Sequence, residues 1–140
     1  MHRLIKIGVL LSWLLLAGCS DQRATFEING GAHSISMIRV TSMPWDKTAE
    51  YSVVASRMPD CMRRHNFPER MLNARIEVFS AGNGAWVLRV NKQRMYVLET
   101  RTCEGFARLD AEPDGGLTDL KGVFEMKNDQ FVFTPAPKPQ

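Results

Sequence analysis

The stretch ARIEVFSAGNGAWVLRVNKQRMYVLET, residues 74–100, decides the fold class of this chain. Apolar side chains recur at every second position, for example at Trp86, Leu88 and Val90. This period of two is that of a β-strand with one buried face. A Gly-Asn-Gly turn at 82–84 and a second polar turn separate the apolar runs. The stretch therefore predicts a meander of three antiparallel strands.

Shorter β-prone runs of the same kind flank the meander, with turn residues between them. Their spacing of roughly 8 to 12 residues is typical of all-β sandwiches and barrels. We therefore predict one mainly β domain, an antiparallel sandwich or small barrel of about eight strands. The flanking runs occupy 25–28, 33–41, 51–57, 105–109, 121–127 and 130–134.

The segment between Pro59 and Pro68 departs from this pattern. It lacks β-branched residues and is bracketed by prolines, which favours one or two helical turns. We therefore predict one short helix near 60–67. On such a helix Cys61 and His65, four positions apart, would share a face.

The amino end has the layout of an export signal. Basic Arg3 and Lys6 precede an apolar run over 7–16, and small residues follow. The run is about ten residues long, whereas a helix that spans a bilayer needs about 20. Residues 1–18 are therefore expected to be a cleaved signal peptide rather than a membrane span.

The sequence Leu16-Ala17-Gly18-Cys19 resembles the lipobox of bacterial lipoproteins. This resemblance implies that Cys19 carries acyl chains, and two or three chains anchor a protein to a membrane almost permanently. In that class an Asp directly after the lipidated Cys favours inner-membrane retention. Ser20 stands there, so the resemblance points to the outer membrane of a bacterial envelope, with the domain facing the periplasm or the cell surface.

These features divide the chain into four parts: a signal over 1–18, a lipidated tether over 19–23, a β-rich domain over 24–134 and a Pro-rich tail over 135–140. The signal contains two of the 18 basic residues and none of the 15 acidic ones, which leaves a side-chain balance of +1. A nearly neutral chain offers no field that attracts nucleic acid. We expect the membrane, and no nucleic acid, as a partner.

Three cysteines are present, and the lipid on Cys19 leaves Cys61 and Cys103 as a pair. In an oxidising compartment we expect a disulfide between them. Closing a loop of about 42 residues would stabilise the fold by roughly 4 kcal/mol. The alternative is a metal or nucleophile site that recruits His33 and His65, but the spacing is not that of usual zinc sites, so we predict no metal.

No catalytic motif is visible. The chain has no Gly-rich phosphate loop, no G-x-S-x-G elbow and no H-E-x-x-H, so we expect neither enzymatic activity nor a cofactor. We interpret the two histidines beyond the signal as surface or turn residues. An acidic stretch in 110–119 lacks the ligand spacing of a calcium loop and is interpreted as a solvated loop.

Two features suggest contact with a partner. Clustered arginines can form paired hydrogen bonds with phosphates or carboxylates, although a solvated surface is the alternative. Trp45 follows Pro44 in a loop, where we expect it to cover the core; an exposed anchor for a partner is the alternative. The arginines of this candidate docking surface are Arg57, Arg63, Arg64, Arg70 and Arg75.

The sequence thus predicts a membrane-anchored envelope lipoprotein that acts as a non-catalytic interaction module and contacts an envelope protein or glycan. One alternative is a small-molecule or lipid carrier, which needs a pocket inside a barrel. Another is an inhibitor of a cell-wall hydrolase, although the Ser-Gly signature loop of such inhibitors is not found here.

Overall fold

A computed structural model describes residues 20–138 of the chain. This part contains ten β-strands, arranged as two antiparallel sheets of four and six strands, and no helix. The prediction of a mainly β, sandwich-like antiparallel domain is confirmed. The predicted signal peptide and the predicted lipidation site at Cys19 lie outside the described residues.

The smaller sheet is a simple meander in which each strand pairs with the next. Both faces of its second strand are largely buried, as the apolar residues on both of its faces suggest. The strands are β1 (Ser20–Asn29), β2 (His33–Thr41), β3 (Glu50–Arg57) and β4 (Cys61–Asn66).

The larger sheet contains β5 (Ile76–Gly82), β6 (Ala85–Val90), β7 (Arg94–Glu99), β8 (Phe106–Leu109), β9 (Leu120–Lys127) and β10 (Gln130–Pro135). These strands lie side by side in the order β10-β9-β5-β6-β7-β8. The hairpin of β9 and β10 turns through Asn128 and Asp129, whose φ values of 50° and 62° are those of a tight two-residue turn.

Residues 110–119 form a crossover between β8 and β9. Because β5, β6 and β7 lie between these two strands, the crossover has to pass three strands of the sheet. At its end the Ser80 amide donates to the Asp119 carbonyl (2.9 Å). Phe79 and Val87 point away from the smaller sheet and are nevertheless buried, which indicates that the crossover covers the outer face of the larger sheet.

The core lies between the two sheets and consists of the alternate residues of their strands. Its largest fully buried side chains include Tyr51, Ile35 and Phe124. Aromatic rings fill the space at both edges, for example Phe67 and Tyr96, whose centroids are 4.9 Å apart. The interior is therefore filled with side chains.

The two sheets are joined at both edges. At one edge the side chain of Gln22 on β1 accepts a hydrogen bond from the amide of Phe131 on β10 (2.8 Å). At the other edge Cys61 on β4 forms a disulfide with Cys103 in the β7–β8 loop, as predicted. The His65 ring also contacts the Cys103 carbonyl (2.7 Å from Nε2).

The short helix predicted near 60–67 is wrong, because this segment forms β4. Its backbone pairs with β3 from Cys61 to Asn66, and this pairing outweighs the low strand propensity of its residues. Cys61 and His65 do share a face, but it is a strand face with Arg63 between them.

Two further expectations differ from the structure. Ser20–Arg23, expected in the tether, belong to β1. Trp45, expected to cover the core, is 74% exposed in the β2–β3 loop, so that prediction is wrong and the exposed alternative describes it.

Candidate functional site

The outer face of the smaller sheet carries a concave surface that we call the serine trough. Ile35 and Met37 on β2 point into the core, so the residues between them point outward. Strand register aligns the outward residues in rows across the sheet. The rows are Glu27, Ser34, Ser56 and Met62; Thr25, Ser36, Val54 and Arg64; and Arg23, Ile38, Ser52 and Asn66.

The trough is concave because small side chains occupy its centre and long ones its rims. The central strands contribute Ser34, Ser36 and Ser56, which are at most 9% exposed. The edge strands contribute Arg23 on β1 and Arg64 on β4. The resulting cleft has a volume of about 510 Å³.

Hydrogen bonds hold the hydroxyl groups of Thr25, Ser36 and Ser52 in place. The hydroxyls of Thr25 and Ser36 are 2.8 Å apart, across the β1–β2 pair. Arg64 donates from Nη2 to the Ser52 hydroxyl (2.9 Å), and Ser52 donates to Oδ1 of Asn66 (2.9 Å). Because a hydroxyl donates one hydrogen bond and accepts two, the trough keeps capacity to bind a polar ligand.

The positive charge of the trough comes from Arg23 and Arg64 on opposite rims. Within residues 20–138 neither guanidinium lies within 4 Å of a carboxylate oxygen. In contrast, Arg63, which precedes Arg64 on β4 and belongs to the opposite strand face, is paired with Glu104. An arginine remains protonated at any physiological pH and its planar group matches a carboxylate or phosphate. Glu27 occupies a corner of the same face on β1, and the two arginines lie on opposite edge strands in adjacent rows.

A second cleft of about 590 Å³ continues the trough and shares Arg64 with it. Here Arg70 donates from Nη1 to Glu50 (2.8 Å) and from Nη2 to the Thr48 carbonyl (3.1 Å). This cleft is thus balanced in charge. It extends the polar surface along the sheet without adding an unpaired cation.

The structure separates the five arginines that the sequence grouped together. Arg63 and Arg64 line the trough, and Arg57 lies at the end of β3. Arg70 is paired with Glu50, and Arg75 lies on the larger sheet, 3.5 Å from Glu125 and 3.6 Å from Glu77. Sequence reasoning missed Arg23 and the serines, because only strand register brings them onto one face with Arg64.

The two histidines are engaged in contacts at the disulfide edge and at the end of the sheet. His33 lies 3.3 Å from the Thr100 hydroxyl, and burial, followed by the charge of Arg57, lowers the pKa of its ring. His65 stacks on Phe106 in addition to its contact with Cys103. Both side chains therefore serve contacts between the sheets.

Two other groups with shifted pKa values, Tyr96 and Glu99, belong to the larger sheet. Burial, with the hydrogen bond to Glu69, raises the pKa of Tyr96 to about 12. The Thr102 hydroxyl, which donates to Glu99, lowers the pKa of that carboxyl and fixes the loop that carries Cys103. These groups stabilise loops rather than line the trough.

Possible metal ligands do not come together in the part of the chain that the structure describes. Between residues 20 and 138, no three side chains of His, Cys, Asp or Glu are placed to hold a metal ion. Over the same range there is no helix of the length and apolar character that crossing a membrane requires.

Comparison with known proteins identified no relative. No protein-family model matches the chain, and neither a curated protein nor a solved structure is significantly similar to it.

Proposed function

We propose that this protein is a membrane-anchored lipoprotein of the bacterial envelope whose domain is a non-catalytic interaction module. Its ligand is an anionic glycan of the envelope, bound in the serine trough. The observation that carries the proposal is the trough itself, a row of hydroxyls between two arginines that have no carboxylate partner among residues 20–138.

The chemistry of the trough matches that of an acidic sugar polymer. Serine hydroxyls exchange hydrogen bonds with sugar hydroxyls, and Arg23 and Arg64 offer forked donors to carboxylate or phosphate groups. A protein partner would instead favour a surface centred on exposed aromatic anchors. The only large apolar side chain on the trough that is strongly exposed, in the described chain, is Met62.

The alternative of a small-molecule or lipid carrier receives less support. A carrier needs an enclosed apolar cavity, whereas the space between these sheets is filled by residues such as Tyr51 and Phe124. The two clefts described above lie on the outside of the smaller sheet. A solid interior with polar outer clefts favours a docking module.

The anchor is the second part of the proposal. It rests on the lipobox at 16–19, and β1 begins at Ser20, the residue that follows the cysteine. The outer membrane is the proposed location because Ser20, and not Asp, stands after Cys19. Mass spectrometry of the protein from its native host should find an acylated Cys19 as the first residue.

Co-sedimentation with purified peptidoglycan tests the ligand. The lipidated protein in detergent micelles should sediment with this acidic glycan, and added salt should weaken binding because exposed charges are screened. We expect the double variant Arg23→Ala, Arg64→Ala to lose most of the bound fraction. The matched control Lys92→Ala, Arg101→Ala removes two exposed cations of the larger sheet and should bind like the wild type.

Two results would contradict the glycan proposal. Equal losses in both double variants would mean that net charge, and not the trough, determines binding. Undiminished binding by the Arg23 and Arg64 variant would place the ligand elsewhere. Cross-linked pull-down of a single protein, lost on Arg63→Glu with Arg64→Glu, would make that protein the partner.

A further inference from the structure

One end of the sandwich exposes large apolar side chains. Trp45 is 74% exposed and Met43 46% exposed in the β2–β3 loop, and Leu72 is 62% exposed in the β4–β5 loop. We call these three residues the apolar tip. Exposed aromatic and aliphatic side chains grouped at one place usually mark a contact surface.

The loops that carry the apolar tip are joined to each other. Ala49 and Met71 form a β-bridge with hydrogen bonds of 2.8 and 3.0 Å between their backbones. Arg70 in one loop donates to the Thr48 carbonyl in the other (3.1 Å). Both loops therefore form one structured end of the domain.

Local hydrogen bonds also fix the shape of each loop. The Asp46 carboxylate accepts from the backbone amides of Ser42 (3.1 Å) and Met43 (2.9 Å). In the other loop, the Tyr51 hydroxyl accepts from the Ala74 amide (3.0 Å). The apolar residues are thus presented by loops that the fold holds in place.

The start of the described chain lies at the same end. In the β1–β2 pair Ser20 is opposite Thr41, the last residue of β2, after which the loop with Met43 and Trp45 begins. Cys19 is bonded to Ser20, and adjacent Cα atoms are about 3.8 Å apart. An acyl anchor on Cys19 would therefore hold this end against the bilayer.

We propose that the apolar tip inserts into the interfacial region of the membrane that holds the lipid anchor, and so fixes the orientation of the domain. This inference rests on the proposed lipidation of Cys19. Trp favours the interface between headgroups and acyl chains, where its ring is partly buried and its N–H remains hydrated. The disulfide and the β3–β4 turn then lie at the end that faces away from the membrane.

Quenching of tryptophan fluorescence by lipids tests this orientation. Signal cleavage leaves Trp45 and Trp86, and Trp86 is buried with its Nε1 bonded to Thr100 (3.1 Å). The processed, lipidated chain is reconstituted into phosphatidylcholine vesicles whose acyl chains are brominated near the headgroup. We expect loss of most of the Trp45 emission relative to vesicles without bromine.

Variants assign the signal to the apolar tip. Trp45→Phe should leave only the emission of Trp86, which the brominated lipid does not quench. Met43→Ser should reduce the quenching of Trp45, whereas the matched control Met58→Ser, at the other end of the domain, should leave it unchanged.

The outcomes separate this inference from the anchor on which it rests. Absence of Trp45 quenching, in protein that floats with the vesicles and carries an acylated Cys19, would overturn the orientation and leave the anchor intact. Protein that neither floats nor carries acyl chains would overturn both. A concentration-dependent blue shift of Trp45 emission in detergent, without quenching by lipid, would assign the tip to contact between copies of the chain.

Discussion

The outer faces of the two sheets differ in polarity and in burial. The larger sheet has Phe79 and Val87 on its outer face, and the chain covers them with its own crossover. The smaller sheet has small polar side chains at the equivalent place and leaves a trough open. On the larger sheet the buried outer face contributes to the stability of the fold, whereas the smaller sheet keeps an open polar surface.

The largest effect is expected where the sheets are linked covalently. Replacement of both Cys61 and Cys103 by Ala should lower the free energy of unfolding by roughly 4 kcal/mol, because the unfolded chain regains the freedom of the closed loop. Chemical denaturation of the oxidised wild type and the double variant measures the difference. An unchanged denaturation midpoint would show that the non-covalent contacts of His65 suffice to hold β4 against the larger sheet.

The covered face should be sensitive to loss of a charge. Arg89 binds the buried Glu77 with two hydrogen bonds of 3.0 and 3.1 Å and lies 5.1 Å from the centre of the Phe79 ring. Arg89→Met should lower the free energy of unfolding by about 2–3 kcal/mol. The loss is smaller than for a buried carboxylate left without any cation, because Arg75 still lies beside Glu77. Thermal and chemical unfolding provide the measurement.

The same substitution on the open face is the matched comparison for Arg89→Met. Arg64→Met should change stability by less than about 0.5 kcal/mol, as is usual for exposed positions. Equal losses from the two variants would break the contrast between a covered and an open face.

The seam at Gln22 should show an intermediate effect. Gln22→Met keeps the length of the side chain but leaves the Phe131 amide without its acceptor, which should cost about 1 kcal/mol. The Gln93→Met variant, in an exposed turn, is the control. Faster hydrogen exchange at the Phe131 amide in the Gln22 variant alone would assign the loss to this contact.

The smallest effect is expected from pH. The pKa of His33 lies below its ordinary value of 6.5, so the folded chain binds this proton less tightly than the unfolded chain. The contribution of His33 to stability should be fully present well above pH 6.5 and be lost as the pH decreases below 6.5, until the folded ring is also protonated. His33→Gln should reduce this slope in unfolding experiments; an identical slope would mean that other groups cause it.

The sequence predicted the strands well where one face is apolar, because alternation at Trp86, Leu88 and Val90 depends only on neighbouring residues. It failed at 61–66, where pairing with β3 determines the structure and the residues themselves carry little preference. The disulfide could be predicted because Cys19 was assigned to lipid, which left two thiols.

The trough could not be predicted, for a related reason. Arg23 and Arg64 are far apart in the chain, and only the register of four strands places them on one face with Ser36 between their strands. The arginine cluster at 57–75 looked like one surface because its members are close in sequence. In the structure these arginines lie on different strands and loops, and Arg63, Arg70 and Arg75 are each paired with a different carboxylate.

Because β1 begins at Ser20, an anchor on Cys19 would limit the distance from the membrane at which the domain can bind a ligand. With an acyl chain on Cys19, no flexible linker would separate the folded domain from the bilayer. The domain would then extend from the membrane by little more than its own dimensions. Its encounters would then occur by lateral diffusion in two dimensions. A ligand would have to come to the membrane surface, where such confinement raises its effective concentration.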